Sequence, residues 1–203
     1  MWLEKSLRSY LNKLASKSPT PGGGSAAALL GALAASLVSM VANFTVGKPK
    51  YKKVEKSVSR ILERAEKLRE RLARLTEEDS VVYTNFSEAY RMPKGKERDR
   101  AMQKALRQAA KVPFDVANLS FQLIKLNEQL VEKGNRNLIS DVGVSVIFGL
   151  AALETAALNV EINLAGIKDK EFVTKKRETL VFLLKEGKKI KEKVEKKVKK
   201  IMK

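Results

Sequence analysis

Between Lys17 and Lys48 no residue of this chain carries a charge, although 32% of its 203 residues are Asp, Glu, Lys or Arg. Such a stretch can be a membrane span, a buried core helix or the wall of a binding site. From Ser25 to Val46 it runs 22 residues, about the length that crosses the ~30 Å apolar core of a bilayer. Twelve of the 22 are Ala, Ser, Gly or Thr, and nine are large apolar residues. The gain of ~0.3–0.6 kcal/mol per large apolar side chain is therefore partly offset by the polar ones, and the span is borderline. The flanking segments are amphipathic in the manner of soluble bundles, so the balance favours a buried central helix. Gly24, Ala28, Ala32 and Ser36 recur every four positions and let another backbone approach closely, which places this helix at the centre of a bundle or at a subunit interface.

Elsewhere apolar residues recur at steps of three and four, and Gly and Pro are confined to a few places, so the chain reads as all-α with no convincing strand. The pattern predicts helices over 2–16, 24–46, 51–91, 97–111, 113–133, 137–166 and 169–203, with one of the breaks at Pro113. The length suits a single domain, 1–203, with a sizeable core. The C-terminal segment "KEGKKIKEKVEKKVKKIMK" holds ten Lys against three Glu. Ile190, Val194, Val198 and Ile201 nevertheless form one apolar face there, which argues for an amphipathic helix rather than a nucleic-acid tail.

The formal charge of +18 directs attention to an anionic partner, whether nucleic acid, an acidic membrane surface or a polyanionic small molecule. With no Cys and no His, acid–base chemistry falls to Asp, Glu, Lys or Tyr, and the usual soft-metal ligands are missing. Glu4 interrupts what a signal peptide would require, so a cytoplasmic location is expected. The abundance of Lys and Glu without Cys is the tendency of thermophile proteins.

One carboxylate stands out. From Tyr51 to Arg91 the core side runs Val58, Ile61, Ala65, Leu68, Leu72, Leu75, Asp79, Val82, Phe86 and Ala89. A buried unpaired charge costs several kcal/mol, so Asp79 is either partnered or protonated, or the helix bends at Thr76–Asp79 and turns it to solvent. A second feature precedes the uncharged helix: Pro21-Gly22-Gly23-Gly24-Ser25 puts bare backbone N–H groups at a positive helix end, suited to an anion or a ring edge. No Lys-Ser/Thr pair follows the glycines, so this is not a Walker loop.

Taken together, "SPTPGGGSAAA" (18–28), "SMVANFTVGKPKY" (39–51), "EDSVVYTNFSEAYRMPK" (78–94), "AAKVPFDVA" (109–117), "GNRNLISDVGVS" (134–145) and "NVEINL" (159–164) resemble the formiminotetrahydrofolate cyclodeaminase family. That family also includes bacterial methenyltetrahydrofolate cyclohydrolases. The resemblance implies an all-helical homodimer with a reduced folate bound beside the glycine loop, and no metal or cofactor. It implies Asp79 as the catalytic residue, with Tyr83 as the aromatic four positions on. Gly22, Gly23, Gly24 and Ser25 would contact the ligand through their backbone. Lys48 and Tyr51, in a Gly-Lys-Pro-Lys-Tyr exit that returns to the site, would meet the glutamate tail or the pterin. Asp141 beside Ser140 would hold the pterin edge, and Asn159 and Asn163 complete the candidate set; for these last four, helix capping or interhelical hydrogen bonding explains them equally well.

The implied reaction cyclises 5-formiminotetrahydrofolate to 5,10-methenyltetrahydrofolate with release of ammonia; methenyltetrahydrofolate cyclohydrolase is the alternative on the same scaffold. Polyglutamylated folate, as a polyanion, suits so basic a protein. Outside this class, a basic helical nucleic-acid-binding or scaffold protein would bind strands in a steeply salt-dependent way. Against that, the basic residues are spread over many helices, and the aromatics mostly lie on apolar faces.

Overall fold

The computed structural model describes residues 2–203, which form one all-α domain with no strand among the described residues. In chain order its helices are α1 (Leu7–Leu14), α2 (Gly23–Asn43), α3 (Glu55–Arg91), α4 (Lys96–Lys133), α5 (Ile139–Leu164) and α6 (Lys170–Met202). Two ends are closed by their own sequence: Ser6 accepts from the Ser9 N–H at 3.2 Å, and Asp169 accepts from the Phe172 N–H at 3.0 Å. α2 has no such cap, because glycine fills its first positions.

α2, α3, α4 and α5 make a bundle in which sequential helices run antiparallel, and α6 packs along α4 and α5. Side-chain ties fix the register. Ser145 Oγ of α5 donates to the Ala34 carbonyl of α2 at 2.8 Å, while Asn127 of α4 donates to the same hydroxyl at 3.0 Å. Small residues set the spacing: a Cβ on Gly187 of α6 would meet Leu153 Cδ2 of α5 at 2.9 Å. The core is built from the seam foreseen in α3, where Val58, Ile61, Ala65, Leu68, Leu72 and Leu75 are all buried against Ala28, Ala35 and Val38 of α2. α3 runs unbroken through Thr76–Asp79.

One expected break is absent. α4 continues through Pro113, joining what the sequence divides into 97–111 and 113–133. Proline has no N–H to give to the carbonyl four residues back, Ala109, and an orphan carbonyl normally ends or kinks the helix. Here Asn163 Nδ2 of α5 donates to the Ala109 oxygen at 3.1 Å, so the lost bond is replaced from a neighbouring helix.

α2 and the segment 136–164 are each long and apolar enough to cross a membrane. Within this chain 61% and 44% of their most apolar windows are buried. The remainder faces outward: Leu33, Phe44, Leu158 and Ile162 are 48%, 52%, 71% and 73% exposed.

Candidate functional site

The start of α2 lies against the middle of α3, and a cleft of about 360 Å³ opens there, within the size range of small-molecule sites. Its walls come from the loop before α2 (Pro19, Thr20, Gly22), the first turn of α2 (Gly23, Gly24), α3 (Asp79, Val82, Tyr83, Phe86), α4 (Leu106, Ala109) and α5 (Asn159, Ile162, Asn163).

Asp79 sits at the bottom of this arrangement, half-buried. Its Oδ2 accepts the Ser25 N–H at 3.0 Å, so a carboxylate from α3 caps α2 across the bundle. The approach is possible only because residue 24 is glycine: a Cβ there would come within 2.7 Å of Asp79 Cγ. The glycine run and the polar break in the α3 seam are therefore two halves of one contact.

Burial pushes the Asp79 carboxyl above the ordinary carboxylate range, and the bond from Ser25 pulls the other way without cancelling it. The folded protein thus favours the protonated form more than the unfolded chain does. Gly23 and Gly24, the residues before Ser25, have N–H groups without intrahelical partners and line the cleft, so they are open to an acceptor on a ligand.

Ser25 is itself fully buried. Its hydroxyl donates to the Thr76 carbonyl at 2.8 Å and lies 3.1 Å from the Tyr10 hydroxyl of α1. Tyr10 is buried under Trp2, with ring centroids 5.7 Å apart, and burial raises its phenol pKa. This tyrosine behind the glycine loop carries no motif and was not legible in the sequence. Val82 and Phe86 were read as core; they line the cleft because they stand three and seven residues after Asp79 on the same face.

The candidate residues divide into two groups. Gly22, Gly23, Gly24, Ser25, Asp79, Tyr83, Asn159 and Asn163 come together at the cleft or directly behind it. Asn159 Nδ2 donates to the Thr155 carbonyl at 2.8 Å, and its amide lies against Gly23. Asn163 donates to Asn159 O and Ala109 O, so its nitrogen serves the fold while its side chain lines the cleft.

Lys48, Tyr51, Ser140 and Asp141 lie at the opposite end of α2. A helix of 21 residues is ~30 Å long, so within one chain the Gly47–Tyr51 exit does not return to the glycine loop. Tyr51 is half-buried there: its hydroxyl donates to Asn135 Oδ1 at 3.3 Å and accepts from the Arg136 N–H at 3.1 Å. The Lys48 ammonium stands 5.5 Å from the centre of the Phe44 ring. Ser140 is exposed in the first turn of α5, with Asp141 beside it.

A half-buried carboxylate at a positive helix end, beside N–H donors that face the cleft and an aromatic, can take a proton from one atom of a bound molecule and return it to another. Comparison with known proteins points the same way. Residues 6–181 match the family model described as formiminotransferase-cyclodeaminase. The chain is 40% identical over 188 residues to the methenyltetrahydrofolate cyclohydrolase of Methylorubrum extorquens, covering 90% of each. It is 34% identical over 195 residues to the formimidoyltransferase-cyclodeaminase of Rattus norvegicus, covering 92% of this chain and 35% of that protein. The crystal structure of formiminotetrahydrofolate cyclodeaminase from Thermotoga maritima superimposes with a TM-score of 0.84 at 34% identity, covering 99% of this chain and 97% of that one.

Proposed function

Because the chain belongs to the formiminotransferase-cyclodeaminase family of folate one-carbon enzymes, we propose that it cyclises 5-formiminotetrahydrofolate and that Asp79 moves the protons. In this reaction N10 attacks the formimino carbon, forming the second C–N bond of the bridge. The N10 proton passes to Asp79 and then to the former formimino nitrogen, which also takes a proton from solvent and departs as ammonia. The C–N bond to that nitrogen breaks as the 5,10-methenyl cation forms. The observation that carries the reading is the Asp79–Ser25 contact over Gly24: it holds a carboxyl of raised pKa at a fixed point in the cleft. Such a group both accepts and returns a proton near neutral pH more readily than an ordinary Asp.

The N–H groups of Gly23 and Gly24 suit a carbonyl or carboxylate oxygen of the folate, and Tyr83 and Phe86 suit a ring face. The working unit in this proposal is a cytoplasmic homodimer acting on polyglutamylated folate. A second reading, methenyltetrahydrofolate cyclohydrolase, is favoured by the 40% identity to an enzyme of that name over nearly its whole length. There water attacks the bridge carbon, and the same carboxyl would handle its proton. Steady-state assays with each folate separate the two: ammonia release from the formimino compound supports the first, and hydrolysis of the methenyl compound alone supports the second. No turnover of either, or wild-type turnover by Asp79→Asn, would overturn the assignment.

A further inference from the structure

The cleft around Asp79 has no Lys or Arg among its lining residues, in a chain of net charge +18, and one of its walls holds two oriented acceptors. These are the side-chain oxygens of Asn159 and Asn163, four residues and ~6 Å apart along α5. In each the carboxamide is fixed through its nitrogen. Asn159 Nδ2 donates to the Thr155 carbonyl at 2.8 Å, and Asn163 Nδ2 donates to the carbonyls of Asn159 and Ala109 at 2.8 and 3.1 Å. A carboxamide held in this way cannot exchange its two ends without setting oxygen against oxygen, so its own oxygen is committed to accept. Neither Asn159 Oδ1 nor Asn163 Oδ1 has a hydrogen-bond partner among the described residues.

The two oxygens differ in place. The Asn159 carboxamide lies over the first residue of α2, with Oδ1 3.4 Å from where a Cβ on Gly23 would stand. The Asp79 carboxylate occupies the corresponding position over Gly24, the next residue. A proton carrier and a neutral acceptor thus stand over consecutive glycines in one turn, and an atom that receives a proton from Asp79 comes within reach of Asn159 as well.

In the cyclisation proposed above, on which this inference rests, that atom is the formimino nitrogen. The proton it takes from solvent makes the formimino group an amidinium cation, and the nitrogen carries N–H at every later stage, as the amine after N10 has attacked and as the departing ammonia. A cation with N–H donors is matched by acceptor oxygens and by the absence of a neighbouring ammonium or guanidinium, which is what this wall of the cleft offers. A formyl group on the same N5 presents an oxygen where the amidine presents N–H, and leaves the Asn159 oxygen without a donor. We propose that Asn159 Oδ1 accepts an N–H of the formimino nitrogen and makes the cleft selective for an amidine over a formyl group on N5.

Binding separates this role from turnover, and Asp79→Asn supplies a parent without the proton carrier. On that parent, titration calorimetry compares 5-formiminotetrahydrofolate with 5-formyltetrahydrofolate for Asn159, Asn159→Leu and Asn159→Asp. In both variants the Thr155 carbonyl keeps the helical N–H of residue 159, so the fold is retained. The expected result is that Asn159→Leu weakens binding of the formimino compound by about tenfold or more relative to the formyl compound. Asn159→Asp has an acceptor and no N–H, and is expected to keep the preference for the amidine.

An unchanged ratio of the two affinities in Asn159→Leu would overturn the proposal, because Asn159 would then serve a part of the folate common to both ligands, or the fold itself. Loss of the preference in Asn159→Asp as fully as in Asn159→Leu would overturn it too, by assigning the effect to the Nδ2 bond with Thr155. If neither folate binds the parent and the wild type turns neither over, the folate reading falls and this inference falls with it. Where both folates bind, the two Asn159 variants decide the inference alone.

Discussion

The two ends of α2 treat their polar groups in opposite ways. At the C-terminal end the polar groups satisfy one another. Thr45 donates to the Val41 carbonyl at 2.6 Å and accepts the Asn135 N–H at 2.9 Å, while Asn135 donates to the Phe44 carbonyl at 3.0 Å. Asn135 also accepts from the Tyr51 hydroxyl and from the Asn137 N–H. At the N-terminal end the groups are left incomplete: two glycine N–H groups face a cleft, and a carboxylate is held where burial disfavours its charge. One network is closed and holds two loops together; the other is open and has capacity for a ligand. Burial that disfavours the charged Asp79 lowers stability where that carboxyl ionises, so the open end is maintained at the expense of stability.

Asp79→Asn should break this contrast most sharply. The amide oxygen can still accept the Ser25 N–H, but the proton carrier is gone, and turnover should fall by about 10²- to 10⁴-fold. Stability should move the other way. Because the folded-state pKa of Asp79 lies above its unfolded value, the stability this group contributes is fully present below the unfolded pKa and is lost as pH rises through the folded pKa. Chemical denaturation at several pH values should therefore show the variant gaining on the wild type as pH rises through that range, and at pH 7 its Tm should equal or exceed that of wild type. A variant that is dead and also strongly destabilised would mean that Asp79 is structural.

Gly24→Ala comes next. Its Cβ would displace the Asp79 carboxylate, and overpacking of this kind costs about 1–3 kcal/mol. Turnover should drop at least about tenfold, since even small misplacement of a catalytic group is costly. Gly22→Ala is the control, because its Cβ would meet nothing closer than 3.7 Å. Equal effects at the two positions would show that the loop needs glycine for flexibility and not for the approach of Asp79. At the closed end, Asn135→Ala removes the hub of the network and should lower unfolding free energy by about 1–3 kcal/mol in urea titrations.

Most of the fold was legible because helix punctuation in this chain is local: Gly47, Gly95 and Gly134 stand where the sequence placed breaks, and the α3 seam ran as its three- and four-residue steps required. Asp79 was legible as the one residue that violated the seam. What could not be read was anything depending on distance. The motifs around Gly24 and Lys48 are neighbours in sequence, but α2 carries them to opposite ends of the molecule. An uncharged helix also reads as buried on all sides, and only the fold shows that Leu33 and Phe44 face outward, because composition does not say which side of a helix meets the core.

Pro113 was misread for the same reason, and it supplies the smallest and most specific test. The group that rescues Ala109 is Asn163, on another helix, and no local rule for proline anticipates it. If the amide is there to replace a missing N–H, Asn163→Ala should cost about 1–2 kcal/mol in the wild-type chain, where the Ala109 carbonyl loses its partner. In a Pro113→Ala background residue 113 has its own N–H for that carbonyl, and the same substitution should cost less, giving a coupling of about 0.5–1 kcal/mol in a double-mutant cycle. Equal costs in both backgrounds would mean that the Asn163–Ala109 bond adds nothing to the passage of α4 through Pro113, leaving Asn163 free to be explained by the cleft alone.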